Sequence, residues 1–207
     1  MNDLFVWTAD ADAQAVMQQV LSRHQAMGIR AITFKVDRYS GRDSGMIKDG
    51  PELTRFQKNT FKRLVLLLDH HGSGREKESV ETIHHQLSAR LDRVTWQGNH
   101  LAVMAVPELE EWLWYSEDAM LKCLSISKEE MKDWNGAYAH KTGQSVEQLR
   151  KEQPKELFEH LVLRKKRRKP TLADFECIAS SASLKQWQGS ASFHAITERL
   201  QQWFPAG

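Results

Sequence analysis

The stretch Leu64-Val65-Leu66-Leu67-Leu68-Asp69-His70-His71-Gly72-Ser73-Gly74 constrains the fold more than any other. Five aliphatic residues in a row do not alternate, so a strand built from them is covered on both faces. Strands of that kind lie inside parallel sheets flanked by helices. The small residues that follow end the strand and leave an aspartate and two histidines at its carboxyl end. Carboxylate and imidazole both bind divalent cations, and glycine lets a phosphate approach the backbone closely. The plain alternative is a tight turn whose polar residues face solvent.

The rest of the first half supplies partners for this strand. Leu4–Trp7 is a short apolar run, and Ala11–Met27 has helical spacing up to Gly28. Ile29–Val36 alternates as a strand does. Residues 37–52 hold three glycines and a proline and are expected to form a long surface loop. Lys77–Leu91 places Val80, Ile83, Leu87 and Leu91 on one helical face. His100–Val106 is the next strand, and Pro107 is expected to open a helix over Glu108–Tyr115. The order β-α-β-loop-β-α-β-α predicts an α/β fold with a mainly parallel sheet, whose ligands sit at the carboxyl ends of the strands. Asp69 and Glu108 both fall there.

Beyond about residue 117 no strand is evident. Ile126–Asp133, Val146–Lys151, Pro154–Leu163, Leu172–Ala182 and Phe193–Phe204 each have the length and spacing of short helices. Residues 1–116 are therefore expected to form the α/β domain and residues 117–207 a helical region packed on it, with no clear linker between them. A chain of 207 residues with 41% hydrophobic content has enough material for one sizeable core. Its 27% charged residues and net charge of +2 indicate a globular chain and do not by themselves demand nucleic acid. Cys123 and Cys177 form no CxxC pattern and are expected to be core thiols, not a bridge. With no secretory pattern at the start and no run near the roughly 20 apolar residues of a membrane span, a cytoplasmic setting is expected.

Some residues of chemical interest have ordinary explanations. His84 and His85 are adjacent on a helix, face about 100° apart, and cannot clamp one metal together. Ser44 and Ser73 lack the GxSxG context of a serine hydrolase. Arg164, Lys165, Lys166, Arg167, Arg168 and Lys169 are six consecutive cations. They suit a phosphate backbone or an acidic partner, and equally a solvated helix end before Pro170.

Two families resemble parts of this pattern. Asp69-His70-His71 is the triplet for which the DHH phosphoesterases are named, and Thr8-Ala9-Asp10-Ala11-Asp12 resembles their early acidic motif. Ala13 stands where that motif has a glycine, however, and no GGH-type motif follows residue 110. A longer, ordered set of motifs resembles a small Toprim-like family. It consists of Asp69 with Gly72-Ser73-Gly74, then Pro107-Glu108-Leu109-Glu110-Glu111-Trp112, Gln153-Pro154-Lys155-Glu156, Arg168-Lys169-Pro170, Ser192-Phe193, and Trp203-Phe204-Pro205. It covers most of the chain from about residue 60.

The resemblance implies a Toprim-like sheet and a role as a small subunit of prokaryotic anti-phage loci, similar to those of methylation-associated defence systems, beside an ATPase partner. It also implies a site at Asp69, His71, Glu108 and Glu110, with Asp69, His71 and Glu108 holding magnesium or manganese for phosphodiester cleavage. The sequence departs from the Toprim pattern in two places. The first glutamate of that pattern falls near Trp7 or Thr8, and its second aspartate falls on His71. Fewer anionic ligands weaken a magnesium site, so a degenerate module that binds without cutting is expected slightly ahead of an active nuclease.

Overall fold

In the computed structural model, which describes residues 1–207, four strands form one sheet. They are β1 (Asn2–Thr8), β2 (Phe34–Arg38), β3 (Phe61–Asp69) and β4 (His100–Ala105). Every pairing is parallel and the spatial order is β2-β1-β3-β4. The chain steps outward from β1 to β2, then returns past β1 to β3, so the direction of winding reverses between β1 and β3. The unbroken aliphatics of β3 follow from its central place. Val65 and Leu67 enter one core with Leu4, Val6 and Val103, while Leu64, Leu66 and Leu68 enter a second core with Phe5 and Met104.

Helices cover both faces. The first core is closed by α1 (Ala11–Ser22), the second by α2 (Arg42–Leu53) and α3 (Val80–Leu91). The second half contributes α4 (Glu117–Leu124), α5 (Lys128–Thr142), α6 (Val146–Glu152), α7 (Pro154–Lys166), α8 (Leu172–Ser181), α9 (Leu184–Trp187) and α10 (Ala191–Trp203). α8 packs on α1 and α10 packs on β4. Trp112, Phe158, Phe175, Trp187 and Phe193 all belong to the same core as the β1 and β3 residues. The helical half is thus built into the core of the sheet. No helix is long and apolar enough to cross a membrane.

Four expectations need correction. Residues 37–52 are not a loop, because α2 occupies most of them and buries Met46 and Ile47 against β3. Pro51 has no N–H for the carbonyl of Ile47, four residues back, and the Arg90 guanidinium donates to Ile47 O and Lys48 O in its place. The side chain of another element supplies the bond that the local sequence cannot. The second strand begins at Phe34, not Ile29; Ile29 instead bridges to Pro205.

The segment after β4 is not an α-helix opened by Pro107. Glu108 is extended (φ −149°, ψ 163°) and a 3₁₀ segment runs over Leu109–Tyr115. Two bonds across the sheet end hold it so: the His71 N–H donates to Pro107 O at 2.9 Å and the Leu109 N–H donates to Asp69 Oδ1 at 2.9 Å.

Cys123 and Cys177 are not separate thiols but a disulfide. Packing of α4 on α8 brings their Cα atoms to 5.9 Å, within bridging range. Spacing along the chain cannot show this. Such bridges are uncommon in reducing compartments, so the pair bears on the cytoplasmic expectation too. Thiol titration of the denatured, unreduced protein should find no free cysteine, and two after reduction. Removing the bridge by Cys123→Ser with Cys177→Ser should lower stability by about 4 kcal/mol or less on the loop-entropy argument. Two thiols titrating before reduction would contradict the pairing.

Candidate functional site

The carboxyl ends of β1 and β3, where the winding reverses, open into a crevice of about 710 Å³. Open α/β sheets hold ligands at this place. Asp69 ends β3 and is buried. Its N–H donates to Asp43 Oδ1 at 2.7 Å, and its own Oδ1 accepts from the Leu109 N–H. One aspartate therefore ties together the start of α2, the end of β3 and the exit from β4. Asp10 follows β1 and caps α1, its Oδ1 accepting from the Ala13 N–H at 2.7 Å.

Glu108 reaches the same space from the chain after β4. Its Oε1 lies 3.4 Å from His71 Nδ1 and 3.8 Å from Lys155 Nζ. Its Oε2 is buried with no hydrogen-bond partner, which is rare for a carboxylate oxygen. Glu110 is buried close by. Lys155, at the start of α7, carries a cation into the cluster from the helical half.

This is an under-neutralised site. Burial, then the negative charges of Asp10, Glu110, Asp43 and Glu108, pushes the Asp69 carboxyl well above its usual range. Burial also raises Glu110 to about 8 and Asp12 to about 6, and it raises Asp43 and Glu108 as well. Burial works against the charged form of Lys155, but Glu110, Glu108, Asp69 and Asp10 outweigh it and push that group up to about 12. The exposed Arg38 and Arg42 also line the crevice, so three cations face the five carboxylates of Asp10, Asp12, Asp43, Asp69 and Glu108.

Of the four residues expected from the sequence, Asp69, His71 and Glu108 line one crevice, whereas Glu110 is buried and does not line it. Asp43 and Lys155 were not expected there, and Asp10 and Asp12 enter as full members. Asp43 was hidden in the stretch read as a loop. Lys155 carried a signal, since a lysine in the first turn of a helix opposes the helix dipole and needs another reason to be there.

The basic run lies elsewhere, at the far end of α7, roughly 17 Å along the helix from Lys155. Most of it is engaged within the chain. Lys166 and Arg168 pair with buried Asp174 at 2.7 and 2.5 Å, Lys165 pairs with Glu130 at 3.3 Å, and Arg164 lies over the Trp134 ring. Arg167 adopts a left-handed conformation that ends the helix (φ 56°), and its side chain is exposed, as is that of Lys169.

As the side chains stand, no three His, Cys, Asp or Glu groups are arranged to hold an ion. The donor set nonetheless fits a hard divalent cation. Its atoms are carboxylate oxygens, one of them buried and orphaned, and His71 adds a nitrogen that manganese accepts.

The crowded acids give stability a definite pH dependence. Glu110 ionises near ~4.3 in an unfolded chain and near 8 in the fold. The fold thus holds the proton more tightly, and stability falls as pH rises through that interval. Stability from Lys155 is fully present below its ordinary range and is lost only as pH climbs toward 12, so it does not offset the fall. Melting temperature should decline between pH 5 and pH 8. Glu110→Gln should flatten that slope and raise the pH 8 value by roughly 2–4 °C for each kcal/mol relieved. An unchanged slope in the variant would contradict this assignment.

No protein-family model, no curated protein and no solved structure matches the chain. The crevice's own groups therefore carry the functional reading.

Proposed function

We propose that the chain is a Toprim-like subunit of a prokaryotic anti-phage assembly, working beside an ATPase. Its crevice takes a divalent cation, magnesium or manganese, for cleavage of a nucleic-acid phosphodiester. The observation that carries the cation reading is Glu108 Oε2, buried and unpartnered beside Asp69 in a crevice with excess negative charge. The acid count adds support. Asp10 and Asp43 supply carboxylates where the Toprim pattern is lacking at Trp7, Thr8 and His71. The role in defence is supported by the ordered motifs of the second half of the sequence.

Asp69 and Glu108 would hold the cation, with Asp10 in the same crevice. When bound, the cation polarises a phosphoryl oxygen and makes a bound water more acidic. Asp69 fixes the chain around the site through its bonds to Asp43 and Leu109. Lys155 offers an ammonium to the negative charge of a phosphate. The exposed His71 ring stands at the crevice wall, next to Glu108.

One observation favours a second reading. Lys155 already sits 3.8 Å from Glu108, a place a cation would compete for, and His71 holds the position of the second acid. A chain that keeps this arrangement binds nucleic acid or its ATPase without cutting.

The two readings separate experimentally. Manganese binding is measured by calorimetry, and plasmid and RNA are then incubated with the protein in magnesium or manganese, alone and with its genomic neighbours. The first reading expects binding and cleavage, with Asp69→Asn and Glu108→Gln each weakening manganese at least tenfold and abolishing cleavage. Binding without cleavage in any mixture supports the second reading. No manganese binding at all overturns the first.

A further inference from the structure

The turn after β3 holds an anion already. The N–H groups of Gly72 and Gly74 both donate to one oxygen, Glu76 Oε1, at 2.9 and 3.0 Å. Both glycines have left-handed backbones (φ 87° and 75°), the alternation that aims successive amides into one concavity. Other bonds pin the turn without help from Glu76. The His70 N–H donates to Ala105 O, His71 N–H to Pro107 O and Ser73 N–H to His70 O, at 2.9, 2.9 and 3.2 Å. Arg75 N–H donates to Ser73 Oγ at 3.1 Å. The pair of converging amides is therefore a property of the turn, and the Glu76 carboxylate is its occupant.

That occupant is held by the turn's own amides and by no second element. Glu76 is exposed, and its carboxylate is held by backbone amides rather than by a cation. The turn also borders the acidic crevice: Gly72 lines it together with Asp69, His71 and Glu108. A Cβ added at Gly72 would come within 3.9 Å of Asp43 Oδ2.

We propose that the Gly72–Gly74 turn is a phosphate subsite, that Glu76 occupies it as an internal stand-in, and that a phosphoryl group displaces Glu76 to bind beside the crevice. A phosphate offers more charge and more acceptor oxygens than a carboxylate to the same two amides. The subsite deepens the function proposed above and rests on it for the meaning of the neighbouring cation. Its occupation by phosphate stands or falls separately. A phosphodiester seated on these amides sits next to the carboxylates that would hold the cation, and the exposed His71 ring faces the same edge. Glu76 then acts as a plug, keeping the subsite filled until a substrate competes for it.

The test uses the full chain in chelator, so that the outcome does not depend on a divalent cation. Inorganic phosphate and a dinucleotide phosphodiester are titrated in separate arms, and the amide resonances of Gly72 and Gly74 are followed by NMR. Wild type should bind weakly, and Glu76→Ala should bind at least tenfold more tightly, with the largest shifts at those two amides. Response to phosphate but not to the dinucleotide would assign the subsite to a terminal phosphate; response to both would assign it to a phosphodiester. Glu76→Gln keeps the length of the side chain without its charge and should fall between the two proteins. Equal affinity in wild type and Glu76→Ala, or shifts that spare Gly72 and Gly74, would overturn the proposal. A melting temperature close to wild type in Glu76→Ala shows that the turn remains formed. Manganese calorimetry on Glu76→Ala keeps the two readings distinguishable, since cation binding should persist whether or not the phosphate subsite exists.

Discussion

A carboxylate at the end of a strand buried on both faces has little freedom in where it emerges. Asp69 is in that position, and the organisation of the crevice depends on the bonds it makes there. Its N–H engages Asp43, which fixes the start of α2 against the end of β3. Its Oδ1 takes the Leu109 amide, which keeps Glu108 extended and turns it into the crevice in place of onto a helix surface. Without that second bond the segment after β4 could begin a regular helix at Pro107, as its composition suggests, and Glu108 would leave the crevice. One residue thereby converts a strand end into a site with acids from several elements.

The arrangement costs stability. Burial raises Asp69, Glu110, Asp43 and Glu108 together, and the chain sets against them Lys155 and two exposed arginines, Arg38 and Arg42. A fold selected only for stability would replace such a cluster with apolar groups or add cations. Strongly perturbed carboxylates in a cleft are instead the pattern of a site that waits for a ligand. The basic run at the other end of α7 shows the contrast. There Asp174 is also buried, and burial alone would raise it, yet Arg168, Lys166 and the Thr171 N–H and hydroxyl hold its carboxyl well below the usual range. The same protein balances its charges where structure alone is at stake and leaves them unbalanced at the crevice.

Much of this was legible in the sequence, for reasons that can be named. The short aliphatic run of β3, closed by a small-residue turn, suits a central strand, so Asp69 at its end was readable, as was Glu108 after the next apolar strand. Five of the seven helices of the second half follow from the spacing of their apolar residues; α4 and α9 were not anticipated, and α5 runs past Asp133 to Thr142. What failed was whatever depends on a distant partner. The stretch holding Gly41, Gly45, Gly50 and Pro51 reads as a loop until Arg90 is seen bonding the carbonyls near Pro51. Asp43 went unseen with it. The disulfide needed the packing of α4 on α8, and the 3₁₀ turn needed the Asp69 carboxylate. The six cations looked alike in sequence, and only their partners separate the engaged ones from Arg167 and Lys169.

The switch-point crevice is where a divalent cation would bind under the function proposed above. The most direct measurement is anomalous diffraction from crystals soaked in manganese at pH 8, where more of the carboxylates are ionised than at neutral pH. One strong peak is expected in the crevice, contacted by the carboxylates of Asp69 and Glu108, with Lys155 moved away from Glu108. A map with no peak there at saturating manganese, and with Lys155 still beside Glu108, would contradict it.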